Sequence, residues 1–257
     1  MPGEFHINPS HALAFAFVLT RIAGALVFVP LPGIRNSLEL GRLVLAVALT
    51  LAVYPAWPAN IPGEMSPGLI ALTMLGEAGF GVAIGLSIGF LLETFVIAAQ
   101  VFGLQAGYSY ASTLDPNSQA DTTVLQVFAQ LSASLLFISL GLDREVIRIF
   151  ASSLQSFPPG GYQVTERAAR MIIELGSNMF TTGLRLALPI VALLALVDIS
   201  LALMGRIHAQ LQLLTIAFPA KMLLSLVLLA LLLSTFPAVF EGTSRRTISA
   251  LTALVHP

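Results

Sequence analysis

Five ionisable side chains interrupt long apolar stretches of this chain: Arg21, Glu77, Glu93, Asp198 and Lys221. At the centre of a bilayer each costs roughly 2.5 to 3.5 kcal/mol on the insertion scale, so such groups face a protein interior or a water path. Two roles are open to them: relaying protons along a polar pore, or pairing between helices and subunits. Glu93 and Lys221, near segment ends, can also snorkel to water. A different chemistry is suggested by Gly85-Leu86-Ser87-Ile88-Gly89, which matches the GxSxG pattern, with His208 after a later apolar segment. That motif belongs on a strand-turn-helix elbow with a third group orienting the base, and here it lies in a glycine-rich apolar run with neither. No HExxH, Walker A or dinucleotide fingerprint occurs. The chain has no cysteine, which excludes disulfides, thiolate chemistry and Cys-type zinc sites. The sequence therefore points to no catalytic, cofactor-binding or metal-binding residues.

The longest polar interruption in the front half runs from Gln100 to Asp121, QVFGLQAGYSYASTLDPNSQAD. It reads as a loop that carries two aromatic residues, Tyr108 and Tyr110. Asp115 before Pro116 marks a turn, because the proline ring disfavours the α region for the residue before it. A connecting loop would explain its Gly, Asn and Ser equally well.

Apolar segments must position these groups. Six are evident: 13–29, 38–57, 69–99, 124–142, 184–204 and 211–236. All have helical length, and β-barrel alternation is absent. A seventh region, 141–157, is amphipathic and is expected to lie along an interface or a partner. Thr165 is a candidate N-cap for another amphipathic helix, TERAARMIIEL. In the third segment Gly81, Gly85 and Gly89 fall at i, i+4 and i+8, a small-residue ridge that lets another helix backbone approach closely. Glu77 and Glu93 extend that row at either end. The segment lengths and the arginine distribution do not fit simple alternating spans, so part of the apolar surface is expected to be covered by other protein chains.

Composition sets the solvent. Over 257 residues, 56% are hydrophobic and only 10% charged, against roughly 25% charged in an ordinary soluble domain. The mean hydropathy is +0.89, which places the chain in the membrane class. The formal net charge of -1 and the absence of basic runs argue against nucleic acid as a partner. The apolar run near the amino end lacks a positive n-region and a small-residue cleavage site, so it is expected to be retained.

The landmarks in order are distinctive: Arg21-Ile22 with Pro30, Arg42-Leu43, Gly76-Glu77, GLQAG at 103–107, Ser109-Tyr110-Ala111, Asp115-Pro116, Gly141, SSLQSFP at 152–158, Ala187-Leu188-Pro189, Gln210-Leu211 and Phe218-Pro219. This ordered set, over roughly residues 13 to 240, resembles FliR, the R component of the bacterial flagellar type III export gate. The injectisome export protein of the same superfamily is the nearest alternative. The resemblance implies an all-α, integral membrane-type architecture of helical hairpins packed into a hetero-oligomeric helical ring. A P-like part (residues 1–183) would be followed by a Q-like hairpin and C-terminal tail (184–257).

The implied partners are FliP-like, FliQ-like, FlhB-like and FlhA-like components, unfolded export substrates and membrane lipid. The implied location is the bacterial inner membrane at the flagellar basal body. No enzymatic activity and no cofactor are implied. The loop at about 103–121 would be a plug in the pore, with Gly107, Tyr108, Tyr110, Thr113, Asp115 and Pro116 as its residues. Tyr110 falls where the family's plug carries an aromatic ring, whereas Thr113 departs from a bulkier aromatic seen in some relatives. Asp198, lone in its helix, stands where a neutral Asn is common. Ala209 and Gln212 replace the Pro and Asn expected around Gln210. Arg21 and Glu77 would join buried polar contacts that fix subunit register. A self-contained proton-coupled transporter using Glu77, Glu93 and Asp198 is the alternative from another class.

Overall fold

A computed structural model describes residues 9–29, 39–58, 65–108, 124–162, 165–207 and 213–255. Among these residues the structure is helical throughout, without a strand. The helices are α1 (Pro9–Leu26), α2 (Glu39–Ala52), α3 (Pro67–Ala106), α4 (Val124–Ser139), α5 (Leu142–Ser156), α6 (Glu166–Ile207), α7 (Leu213–Leu233) and α8 (Phe236–Val255), with one turn of 3-10 helix at Tyr54–Ala56. Helices α3 and α6 are each long and apolar enough to cross a membrane, and up to four spans result if the broken pairs α4–α5 and α7–α8 each count as one.

The boundaries follow local chemistry. Proline opens α1 and α3, where its missing N–H is harmless and its fixed φ suits the first turn. Thr165 caps α6, its Oγ1 accepting from the Ala168 N–H at 3.2 Å. Gly141, at φ 68°, separates α4 from α5. Gly107, at φ 91°, ends α3 in a Schellman turn: the Tyr108 N–H bonds to the Gly103 carbonyl at 3.0 Å and the Gly107 N–H to Leu104 at 3.1 Å. Pro189 and Pro219 lie inside α6 and α7.

Three expectations change. The polar stretch from Gln100 is helical as far as Ala106, because Phe102 and Ala106 continue the buried face of α3. The amphipathic segment after Thr165 and the fifth apolar segment form one helix of 42 residues. Met179, Gly183, Ala187, Ile190 and Leu194 are buried at intervals of three or four, so one face runs unbroken past polar Ser177, Asn178 and Thr181. Most of the apolar face of α5 packs within the chain rather than on a partner: Leu142, Ile149, Phe150 and Leu154 are buried, while Ile147 stays exposed.

The chain forms two compact units, each discontinuous in sequence. The first contains residues 1–90, 137–176 and 244–257. Its buried side chains include Phe17, Val18 and Ile22 of α1 and Phe80, Ile84 and Ile88 of α3. In this unit the backbones of α1 and α3 touch. A Cβ added at Gly81 or Gly85 would overlap the carbonyl of Arg21 or Ala25, and one at Gly89 would lie 2.9 Å from the Phe28 oxygen. Gly24 answers from α1, where a Cβ would lie 2.6 Å from the Ala78 oxygen. The numbers rise together along both helices, so they run parallel, and the partner of the glycine ridge is a helix of the same chain.

The second unit contains residues 91–136 and 177–243. Ala99, Phe102 and Ala106 of α3, Leu125 and Ala129 of α4, Ile190 and Leu194 of α6 and Leu229 of α7 make its core. Phe95 adds ring contacts with Phe236 and Phe240, centroids 4.6 and 5.3 Å apart.

Candidate functional site

In the first unit the ridge brings Arg21 of α1 opposite Glu77 of α3, with side chains 0% and 1% exposed. Arg21 Nε donates to Glu77 Oε2 at 2.5 Å, Nη1 to Ser153 Oγ at 3.0 Å and Nη2 to the Phe157 carbonyl at 2.9 Å. Glu77 Oε1 accepts from the Gly160 N–H at 3.2 Å. The guanidinium carbon lies 4.9 Å from the centroid of the Phe80 ring, a cation–π arrangement. Phe80 in turn packs against Tyr162 at 4.4 Å. Four segments therefore meet at one charge pair: α1, α3, α5 and the connection leaving α5. Both carboxylate oxygens are engaged and excluded from water, an arrangement that fixes position rather than passing protons.

Tyr162, in the connection between α5 and α6, has its phenol pushed above the usual value of 10.0 by burial. It also borders a cavity of about 600 Å³ formed with Phe157, the first turns of α6 and Ala250, Ala253 and Leu254 of α8. The segment from Thr165 to Glu174 forms one wall.

In the second unit Asp198 is not lone in its surroundings. Lys221 of α7 reaches its two oxygens at 2.8 and 2.9 Å, and Gln105 Nε2 of α3 donates to Oδ2 at 2.9 Å. The side chains of Lys221 and Asp198 are 11% and 43% exposed. Lys221 therefore does not snorkel to water: its ammonium folds back onto a neighbouring helix that supplies a counter-charge. Nearby, the Tyr108 hydroxyl donates to the Met222 carbonyl at 3.1 Å. Gly107 abuts Phe218, whose Cδ1 would lie 3.0 Å from an added Cβ.

The remaining candidates separate. Glu93, partly exposed, lies on the α3 stretch of the second unit, so it and Glu77 belong to different units. Tyr110, Thr113, Asp115 and Pro116 fall outside the described residues, as do His208, Ala209, Gln210 and Gln212. Ser87 is fully buried and its hydroxyl donates to the Ala83 carbonyl at 2.8 Å, which closes it to a substrate and removes support for a serine nucleophile. No cluster of three His, Cys, Asp or Glu side chains suited to a metal exists among the described residues. Sequence reasoning missed Ser153, Phe157 and Gly160 as partners of the first pair, and Gln105 and Met222 around the second. Two of these groups are backbone carbonyls and one is a backbone N–H, which leave no mark in residue type.

An all-helical chain with membrane-length apolar helices and charges paired in its interior is a membrane-type helical protein. The family described as Bacterial export proteins, family 1 matches residues 12–247, and the chain belongs to that family. It is 29% identical over 215 residues to the flagellar biosynthetic protein FliR of Escherichia coli (strain K12), covering 84% of this chain and 82% of that one. The FliR of Pectobacterium carotovorum subsp. carotovorum is 29% identical over 227 residues, 88% of this chain and 85% of its own. The FliR of Bacillus subtilis (strain 168) is 26% identical over 248 residues, 94% of each chain. The resemblance carried by the ordered landmarks is met by these matches.

Proposed function

We propose that this chain is a FliR-type subunit of the flagellar type III export gate, acting without catalysis in the bacterial inner membrane. The observation that carries the reading is similarity to proteins named FliR along nearly the whole chain, 94% of it for the Bacillus subtilis relative. In this reading a P-like part, residues 1–183, and a Q-like part, 184–257, build a protein-conducting channel with FliP-like and FliQ-like neighbours. FlhB-like and FlhA-like components stand at its entrance, and unfolded flagellar proteins are the cargo. The connection between α3 and α4 acts as the plug. The uncovered apolar side chains support assembly with other chains: Val124, Leu131, Leu135 and Ile138 of α4, Leu188, Leu196 and Leu203 of α6 and Leu223, Val227 and Leu231 of α7 are all exposed in the isolated chain. Surfaces of this kind are covered by lipid or protein.

The test is co-expression with FliP-like and FliQ-like chains, affinity purification through this chain in detergent, and mass determination. The expected result is a discrete hetero-oligomer. Recovery of only a stable monomer or homodimer would overturn the reading. Deleting residues 109–114 in the assembled complex is expected to raise ion leakage across vesicles, and leakage unchanged from the parent would remove the plug assignment.

A further inference from the structure

One turn of α7 meets the carboxyl end of α3 through two direct contacts and one relayed by Asp198 of α6. The Phe218 ring fills the space beside Gly107, so that a Cβ there would come within 3.0 Å of it. Three residues on, Lys221 holds Asp198 of α6, and that carboxylate also takes the Gln105 amide of α3 at 2.9 Å. One residue further, the Met222 carbonyl accepts the Tyr108 hydroxyl at 3.1 Å. Positions i, i+3 and i+4 share one helix face, so Phe218, Lys221 and Met222 act on α3 together.

From this geometry we propose that the α7 turn 218–222 is a clasp on the carboxyl end of α3, and that Lys221 and Asp198 are its positioning residues. They hold Gln105 to Tyr108, the root from which the chain leaves α3, in the resting arrangement. The functional consequence rests on the export-gate reading given above: release of the clasp loosens the closed channel. Two features suit release rather than permanent locking. Asp198 is 43% exposed in the isolated chain, so its pairing competes with water, unlike the sealed Arg21–Glu77 pair. Pro219, within the clasp itself, has no N–H to bond the preceding turn, so α7 bends there at low cost.

The experiment uses the complete complex with its partner subunits in lipid vesicles, with two readouts: hydrogen exchange at the Gly107 and Tyr108 amides, and ion leakage. Lys221→Met is expected to speed exchange at those two amides and to raise leakage about tenfold, the response to a loss of about 1.4 kcal/mol, with the mass of the complex unchanged. Asp198→Asn, which keeps an oxygen for Gln105, is expected to do the same to a smaller degree. The double variant should leak no more than Lys221→Met alone, because both changes remove one interaction. If Lys221→Met fails to assemble, Asp198→Asn and the charge-swapped pair Asp198→Lys/Lys221→Asp decide, the swap restoring slow exchange and low leakage. The 109–114 deletion serves as reference. Variants with parental exchange and leakage, beside a leaking deletion, overturn the clasp and leave the plug reading intact. Faster exchange with parental leakage, beside a leaking deletion, overturns its role in closure. If the deletion itself does not leak, the plug reading fails and the exchange result alone upholds or overturns the clasp.

Discussion

Removing one partner of the Arg21–Glu77 pair is expected to damage the first unit more than removing both. In Glu77→Met, Arg21 keeps its bonds to Ser153 Oγ and the Phe157 carbonyl but loses its counter-charge among the described residues, while 0% exposed. The Gly160 N–H also loses its acceptor. An uncompensated buried charge costs about 3–5 kcal/mol, within which an orphaned amide accounts for about 1–3. Arg21→Met leaves the Glu77 carboxylate equally stranded. In the double variant no charge remains, and two thioether side chains fill a comparable volume beside Phe80, so most of the loss is expected to return. Thermal unfolding of the purified chain in detergent reads this directly. At about 2–4 °C per kcal/mol for a chain of this size, each single variant should fall by roughly 6–20 °C. The double should fall by less than either single. Singles within about 1 kcal/mol of the parent, or a double variant as damaged as the sum of the two, would refute the reasoning.

Two further outcomes follow from local geometry. Gly81→Ala and Gly85→Ala place a Cβ against α1 backbone that cannot yield, and should destabilise by about 1–3 kcal/mol or more in the same unfolding assay. Gly76→Ala and Gly79→Ala, in the same helix with nothing within 4 Å of the added carbon, should stabilise the isolated chain by up to about 1 kcal/mol. Tyr162 should ionise later than a free phenol in an alkaline absorbance titration, because burial disfavours its anion. Between the unfolded and the raised folded value the native state holds more protons. Its stability contribution is therefore complete below pH 10 and lost as pH rises through the folded value. Tyr162→Phe should remove both the late titration and that part of the alkaline loss.

Much of the fold is legible along the chain because helix formation is local. Apolar runs of helical length marked α1, α2, α4 and α7 within a few residues and the apolar stretches of the longer α3 and α6, and Thr165 marked the cap of α6. Where periodicity was judged over too short a window the boundaries moved. Gln100 to Ala106 looked polar by count, yet Phe102 and Ala106 stay in step with the buried face of α3. The amphipathic stretch 165–175 and the apolar segment 184–204, read separately, join in one helix for the same reason.

The sequence by itself determined which groups had to be reckoned with: a glycine ridge needing a close backbone, and five charges needing partners in an apolar chain. Tertiary structure alone decided which partners they found. Arg21 meets Glu77 across 56 residues and Ser153 across 132, and Glu77 reaches Gly160 across 83. Asp198 takes Gln105 from 93 residues away. Residue types state that a buried charge must be neutralised, since the cost of leaving it bare is a property of the group. The identity of the neutralising atom depends on which helix faces meet, and that depends on packing summed over the whole unit.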